Sequence, residues 1–226
     1  MIKRVHEHGH IVLEAYMGGD LAIVNNARVS FDQESLELGE AEDGLIGFLM
    51  RNKHGSPFEA PVFRFDVKAP LFVFREWQRH RVGSFNEVSA RYSVIPQEFY
   101  VPERDYIRVQ VGKPGAYTFD RIRDDDLADF IRDQISSMQQ KSFAEYQDLL
   151  NAGVAKEVAR IVLPVGMYSR MKWTVNLRSL LNFLALRNSE HAQREIRDYA
   201  IEIEKMVTRV VPVTMRHFNE NNRIVP

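Results

Sequence analysis

Between Val62 and Val67 the chain reads VFRFDV, with Phe63, Phe65 and Val67 alternating against Arg64 and Asp66. That period of two describes a strand buried on one face only. A different period rules elsewhere. From Leu127 to about Leu150, the residues Phe130, Ile131, Ile135, Met138, Phe143, Tyr146 and Leu150 recur near every ~3.6 positions, which predicts a long helix. A chain carrying both periods must pack helices on a sheet.

Other segments extend this reading. One strand is expected from about Val5 to Tyr16, and Asp20 is placed to cap a short helix through Ala22, Ile23 and Ala27. Glu40 to Met50 predicts a helix that His54-Gly55-Ser56-Pro57 breaks. Pro70 fits a first helical position, opening LFVFREWQRHR with its basic residues at the C-terminal end. Gly112 to Asp126 reads as a polar loop. A short helix covers Lys156 to Ile161, a strand Met167 to Val175, and helices about Leu177 to Leu186 and Ala192 to Val210. The expected fold is α/β of the α+β type: a single domain over residues 1–226, with a small central sheet and helices on both sides of it.

Composition narrows the chemistry. There is no cysteine among 226 residues, which excludes disulfides, Cys-ligated zinc or iron–sulfur sites and a catalytic thiolate. No run approaches the roughly 18 apolar residues of a membrane span, and MIKRVHEHGH has no apolar signal core, so a cytoplasmic address and no membrane partner are expected. A net charge of −1 argues against a nucleic-acid polymer as partner. His6, His8 and His10 alternate, but a metal site needs more ligands, so they read as an exposed terminus and no metal is expected.

The densest polar cluster is REWQRHRVGSFNEVSARYS, Arg75 to Ser93. Arg79, His80 and Arg81 at a helix end could surround an anion, because arginine forks match phosphate. A solvated basic helix terminus or a nucleic-acid patch are the alternatives, although a patch would bring a broader basic stripe.

Arg79-His80-Arg81, seven residues and then Ser89 resembles the RHR-x7-S signature of the flavin-dependent thymidylate synthases. NARVSF (26–31), HGSPFE (54–59), EVARIVLP (157–164), WTVNLRSLLNF (173–183) and LRNSEHAQREI (186–196) agree with that family in order and spacing. The resemblance implies FAD as cofactor, dUMP as substrate, NADPH and methylenetetrahydrofolate as co-substrates, and a homotetramer with sites shared between subunits. Other flavoproteins and a non-enzymatic nucleotide- or RNA-binding module are the competing classes. The conventional synthases activate dUMP with a cysteine, a route this chain lacks.

By the same resemblance, Arg187 lies against the uracil ring and favours its N3-deprotonated form. His54, Ser56, Arg79, His80, Arg81, Glu87, Asn176, Arg178, Asn182 and His191 map to the flavin, with His191 near the flavin or folate ring. Glu76, Trp77, Gln78, Arg79, Glu87, Val88, Ser89, Ala90, Arg91, Arg160 and Arg187 map to the nucleotide, with Arg91 on its phosphate. Ser89 reads better as a binding hydroxyl than as a nucleophile, since no base–orienter pair is evident. On helices, Arg178 with Asn182 and Arg187 with His191 would share a face. Two positions depart from the family. Glu76 lies where some relatives carry glutamine against the nucleotide, and Ala90 replaces a common glycine. With no GxGxxG loop, FAD must be held by side chains from several segments.

Overall fold

The computed structural model describes residues 2–226. Strands β1 (Ile2–Val5), β2 (Gly9–Met17), β3 (Val62–Pro70), β7 (Tyr168–Asn176) and β4 (Ser84–Glu87) form an antiparallel sheet in that spatial order. Helices α1 (Asp20–Arg28), α2 (Glu40–Arg51), α3 (Leu71–Trp77), α6 (Leu177–Arg187), α7 (Arg194–Thr208) and α8 (Pro212–Glu220) build a core with it. Strands β5 (Arg108–Lys113) and β6 (Ala116–Arg121) form a separate hairpin, followed by α4 (Asp125–Asn151) and α5 (Lys156–Ala159). No helix among the described residues is long and apolar enough to cross a membrane.

Alternation along β3 sends Phe63, Phe65 and Val67 into the core, where β7 contributes Met171, Trp173 and Val175. Trp77, Trp173 and Phe183 meet at its centre, with ring centroids 4.9 to 5.3 Å apart. The opposite sheet face is charged. The expected helical layers on both sides are therefore replaced by one layer and an ionic lattice. There Asp66 is buried beneath Arg170, Lys172 and His10, and the Arg170 guanidinium holds its carboxyl well below the usual carboxylate range. Arg170 and Lys172 share a face of β7, as alternation requires, and Asp66 neutralises them. Between Leu13 and Ala15 the β2–β3 register slips, a bulge at Glu14 whose carboxylate pairs with Lys172 and Arg64.

Several expectations are corrected. The first strand is two, joined by a tight turn in which His6 takes φ +58°. His6 is no exposed terminus: it sits among Tyr100, Tyr106 and Tyr199, 3.7 Å from Asp198. Asp20 is the first residue of α1 and caps a different helix. Its buried carboxylate accepts from Val213 N, Thr214 N and Thr214 Oγ1 (2.9, 2.9 and 2.6 Å) at the start of α8. Val211, the residue before α8, has no polar side chain to do this. The polar loop at 112–126 contains most of the β5–β6 hairpin, turned by Pro114 and Gly115 at φ +85°. Pro70 closes β3 rather than opening α3.

On α4, Phe143 and Tyr146 pack with Ala159 in a satellite core. Phe130 and Met138 on the same predicted stripe remain exposed.

Candidate functional site

The core fixes where the basic cluster emerges. Because α3 drives Trp77 inward and ends there, Gln78 to Gly83 form a loop over the C-terminal end of the helix. Arg79, His80 and Arg81 line a cavity of about 600 Å³ together with Asn176, Arg178 and Asn182. Asn176 ends β7 and caps α6, its Oδ1 accepting from Ser179 N at 2.9 Å, so the side-chain amide N–H groups stay available. Arg178 and Asn182 follow one turn apart on α6, as their spacing predicts. Arg178 donates to Glu59 Oε1 at 2.8 Å and to the Pro226 carbonyl at 2.9 Å. A Cβ on Gly55 would lie 2.5 Å from Arg178 Nε, so this glycine admits the guanidinium.

A second cavity, about 350 Å³, receives Glu87, Val88, Ser89 and Ala90 from the end of β4 and the following loop, and Arg160 from after α5. Ser89 Oγ accepts from Arg91 N at 3.3 Å, and no histidine or carboxylate among the described residues hydrogen-bonds to it.

The third cavity, about 940 Å³, lies between the β5–β6 hairpin and the end of α6, and holds Glu76, Arg187 and His191. Arg187 is mostly buried and pinned on three sides. Its Nε donates to His80 Nε2 (3.0 Å), Nη1 to Glu76 Oε2 (2.6 Å) and Nη2 to the Glu76 carbonyl (3.1 Å). That carbonyl belongs to the last turn of α3, where no helical N–H is left to accept. His80 thus joins the first cavity to the third.

For His80 Nε2 to accept, the ring must be neutral with its proton on Nδ1. Burial, aided by the Arg187 charge, pushes its pKa down to about 4 from 6.5. Because the folded value is the lower one, this contribution to stability is complete above pH 6.5 and is lost as pH falls toward 4. Melting curves across that window are expected to show a steeper acid loss for the native chain than for His80→Gln, which cannot titrate. Parallel curves would remove His80 from the acid response.

The profile described as thymidylate synthase complementing protein matches residues 12–213. The flavin-dependent thymidylate synthase of Thermosipho africanus is 43% identical over 218 residues, covering 96% of this chain and 94% of that one. That of Thermotoga neapolitana is 44% identical over 214 residues, covering 95% and 92%. The chain belongs to the flavin-dependent thymidylate synthase family. A crystal structure of a UMP/dUMP methylase, PolB from Streptomyces cacaoi bound with 5-Br UMP, superposes with a TM-score of 0.89 at 39% identity, covering 98% of each chain.

In a flavin-dependent thymidylate synthase the residues expected at the flavin fall mainly on the first cavity: Arg79, His80, Arg81, Asn176, Arg178 and Asn182 line it. His54 and Ser56 do not. His54 stacks on Phe48 at 5.8 Å, and Ser56 offers its carbonyl to Asn26, so their loop reaches the wall through Gly55 and Glu59. Glu87 faces the second cavity, away from the other flavin candidates.

Trp77 needs correction as a nucleotide contact. Its indole is fully buried against Trp173 and Phe183, out of reach of any ligand. Gln78 is exposed and lines none of these cavities. Arg91 turns to Glu157 at 2.9 Å, an exposed pair worth at most about 1 kcal/mol and easily exchanged for another anion. Arg187 and His191 share a cavity but not a helix face, because α6 stops at Arg187. Arg187 pairs with Glu76, not with Glu190 or Glu195. Sequence reasoning did not assign Glu59, Ser169 or the hairpin's Tyr117 and Phe119 to a site wall. Glu59 was within reach, since it ends HGSPFE; the others carry no local motif.

Proposed function

We propose that this chain converts dUMP to dTMP, taking its one-carbon unit from methylenetetrahydrofolate and its reducing equivalents from NADPH through FAD. The observation that carries this reading is the convergence, in a chain without cysteine, of Arg187, His80 and Glu76 on one hydrogen-bonded unit between the flavin-candidate cavity and a large open one.

The donor set of the first cavity fits FAD. Arg79, Arg81 and Arg178 present the charge a pyrophosphate needs, and Asn176 and Asn182 offer amide groups to a polar ring edge. When bound, FAD supplies the passage of reducing equivalents between NADPH and the nucleotide. Ser89, Glu87 and the backbone about Ala90 hold the nucleotide in the second cavity, with Arg160, and with Arg91 released from Glu157, at its phosphate. Arg187 lies in the third cavity and not the second, so it faces the uracil of a nucleotide held by a neighbouring copy; there its unused N–H groups stabilise negative charge at N3 and the adjoining oxygens, which makes C5 nucleophilic without a thiol. His191 lines the third cavity, where it would face the folate ring or, across a contact between copies, the flavin.

Residues 1–226 act as one domain and require copies of themselves. All three cavities are open in the single chain. Phe130 and Met138 on α4, with Val158 and Ile161 nearby in sequence, leave apolar surface uncovered. Both features support a homotetramer with shared sites, and the address that goes with this proposal is the cytoplasm.

The test is direct. The purified chain should show a flavin spectrum, and should oxidise NADPH and form dTMP when dUMP and methylenetetrahydrofolate are both present. Bound flavin without dTMP, or a colourless chain inactive with added FAD, would overturn the proposal. Gly55→Ala tests the cofactor assignment separately. Its methyl group must displace the Arg178 guanidinium, so flavin affinity is expected to fall about tenfold, the worth of a lost charge-assisted hydrogen bond. Fluorescence titration with FAD reads it, and unchanged affinity would take Arg178 out of the flavin site.

A further inference from the structure

The Glu76 carboxylate is spent on Arg187 rather than left open to a ligand. Carboxylate and backbone carbonyl of this one residue accept from Nη1 and Nη2, while His80 accepts from Nε. A guanidinium has five N–H groups, so these contacts fix its plane and leave two donors for a ligand. An ordinary surface ion pair does not look like this. Arg187 is 17% exposed, and two of its three acceptors come from the end of α3, the element that also sets the loop of Arg79 and Arg81. A negative charge at 2.6 Å also offsets much of the charge that Arg187 offers a ligand.

We infer that Glu76 is a positioning residue for Arg187: together with His80 it fixes the guanidinium for the nucleotide, and its negative charge moderates the attraction. This rests on the reading of Arg187 as the uracil contact. What Glu76 supplies is therefore separable into geometry, which glutamine retains through its amide oxygen, and charge, which glutamine removes. The lowered basicity of His80 agrees with a ring that stays an acceptor throughout the working pH range.

The experiment compares Glu76→Ala, Glu76→Gln and Arg187→Ala in the assembled, flavin-loaded enzyme, measuring kcat, KM for dUMP, dUMP affinity by calorimetry, and the flavin spectrum. Glu76→Ala is expected to lower kcat about tenfold to a hundredfold, the usual consequence of a reacting group misplaced by an ångström, with flavin retained. Glu76→Gln is expected to recover most of the kcat lost in Glu76→Ala and to bind dUMP at least as tightly as native, because the acceptor remains and the opposing charge is gone. Glu76 is partly exposed, so both variants should fold, and their melting curves serve as the check. Native kcat in Glu76→Ala, with Arg187→Ala inactive, would overturn the positioning role alone. Equal losses in Glu76→Ala and Glu76→Gln would also overturn it, by showing that charge and not geometry matters. Native turnover in Arg187→Ala would overturn it together with the reading beneath it.

Discussion

Arg187→Ala is expected to lower dTMP formation by about 10²–10³-fold while flavin remains bound. The magnitude is that of one preorganised donor removed from a developing anion in a water-poor site, roughly 3–4 kcal/mol of barrier. The guanidinium is held on three sides before any ligand arrives, so no reorganisation is required when charge develops on the ring. Flavin should survive because Arg79, Arg81 and Arg178 line a neighbouring cavity, and the polar contacts of Arg178 run to Glu59 and Pro226 instead of Arg187. Arg187→Lys should recover little, since a single ammonium cannot satisfy His80 and both Glu76 oxygens while still facing the nucleotide. Removing Arg187 also leaves the Glu76 carbonyl uncapped, a modest loss that a melting curve will register. Single-turnover dTMP formation is the deciding measurement, and a native rate would exclude Arg187 from the chemistry.

The largest expected effect on stability belongs to Asp20→Ala, at about 3 kcal/mol. Asp20 lies at the start of α1 and its carboxylate accepts three hydrogen bonds from the first turn of α8, 193 and 194 positions away along the chain. With alanine, two N–H groups and the Thr214 hydroxyl are left in a region where Asp20 is 3% and Thr214 0% exposed, so water offers little compensation. For a chain of this length, that corresponds to a fall in Tm of about 6–12 °C. Asp20→Asn should fall between the two, keeping an acceptor but presenting an N–H toward other donors. A secondary effect on flavin retention is expected, because α8 leads into the C-terminal Val225 and Pro226 on the wall beside Arg178. A Tm within ~1 °C of native would show that α8 is anchored mainly by its apolar face.

Strong periodicity made the central elements legible. Phe63, Phe65 and Val67 announced β3, and the helix through Leu45–Met50 was found because its apolar spacing and the His54-Gly55-Ser56-Pro57 break agreed. The β5–β6 hairpin was missed because its strands are exposed on both faces and carry no core pattern, although Pro114-Gly115 between Val109, Val111 and Tyr117, Phe119 was a usable turn signal. The Asp20 cap was invisible for another reason: a local motif can be read along the chain, and a carboxylate that caps a distant helix cannot. The site shows the same division. Arg178 with Asn182 could be placed from an i,i+4 spacing, whereas the joining of Arg187 to His80 and Glu76 depends on how α6 crosses the end of α3. Trp77 came with its motif by resemblance, and a motif match does not say which of its side chains a helix end turns into the core.

The central pairing of β3 with β7 joins nine residues on each strand across roughly a hundred positions of intervening chain. On a ribosome adding about 5–20 residues per second, β3 must wait for several seconds with one edge unpaired before its partner emerges. Until then its Val, Phe and Ala-rich backbone is a template for any other extended segment, and the charges of Arg64, Asp66 and Lys68 are what keep that edge from sticking. The same late arrival brings Asn176 at the end of β7, and Arg178, Asn182 and Arg187 directly after it. A chain halted before β7 therefore carries Arg79, His80, Arg81 and Ser89 but neither a closed sheet nor the opposite wall of the first cavity: the strand that completes the architecture is followed at once by the residues that complete that wall.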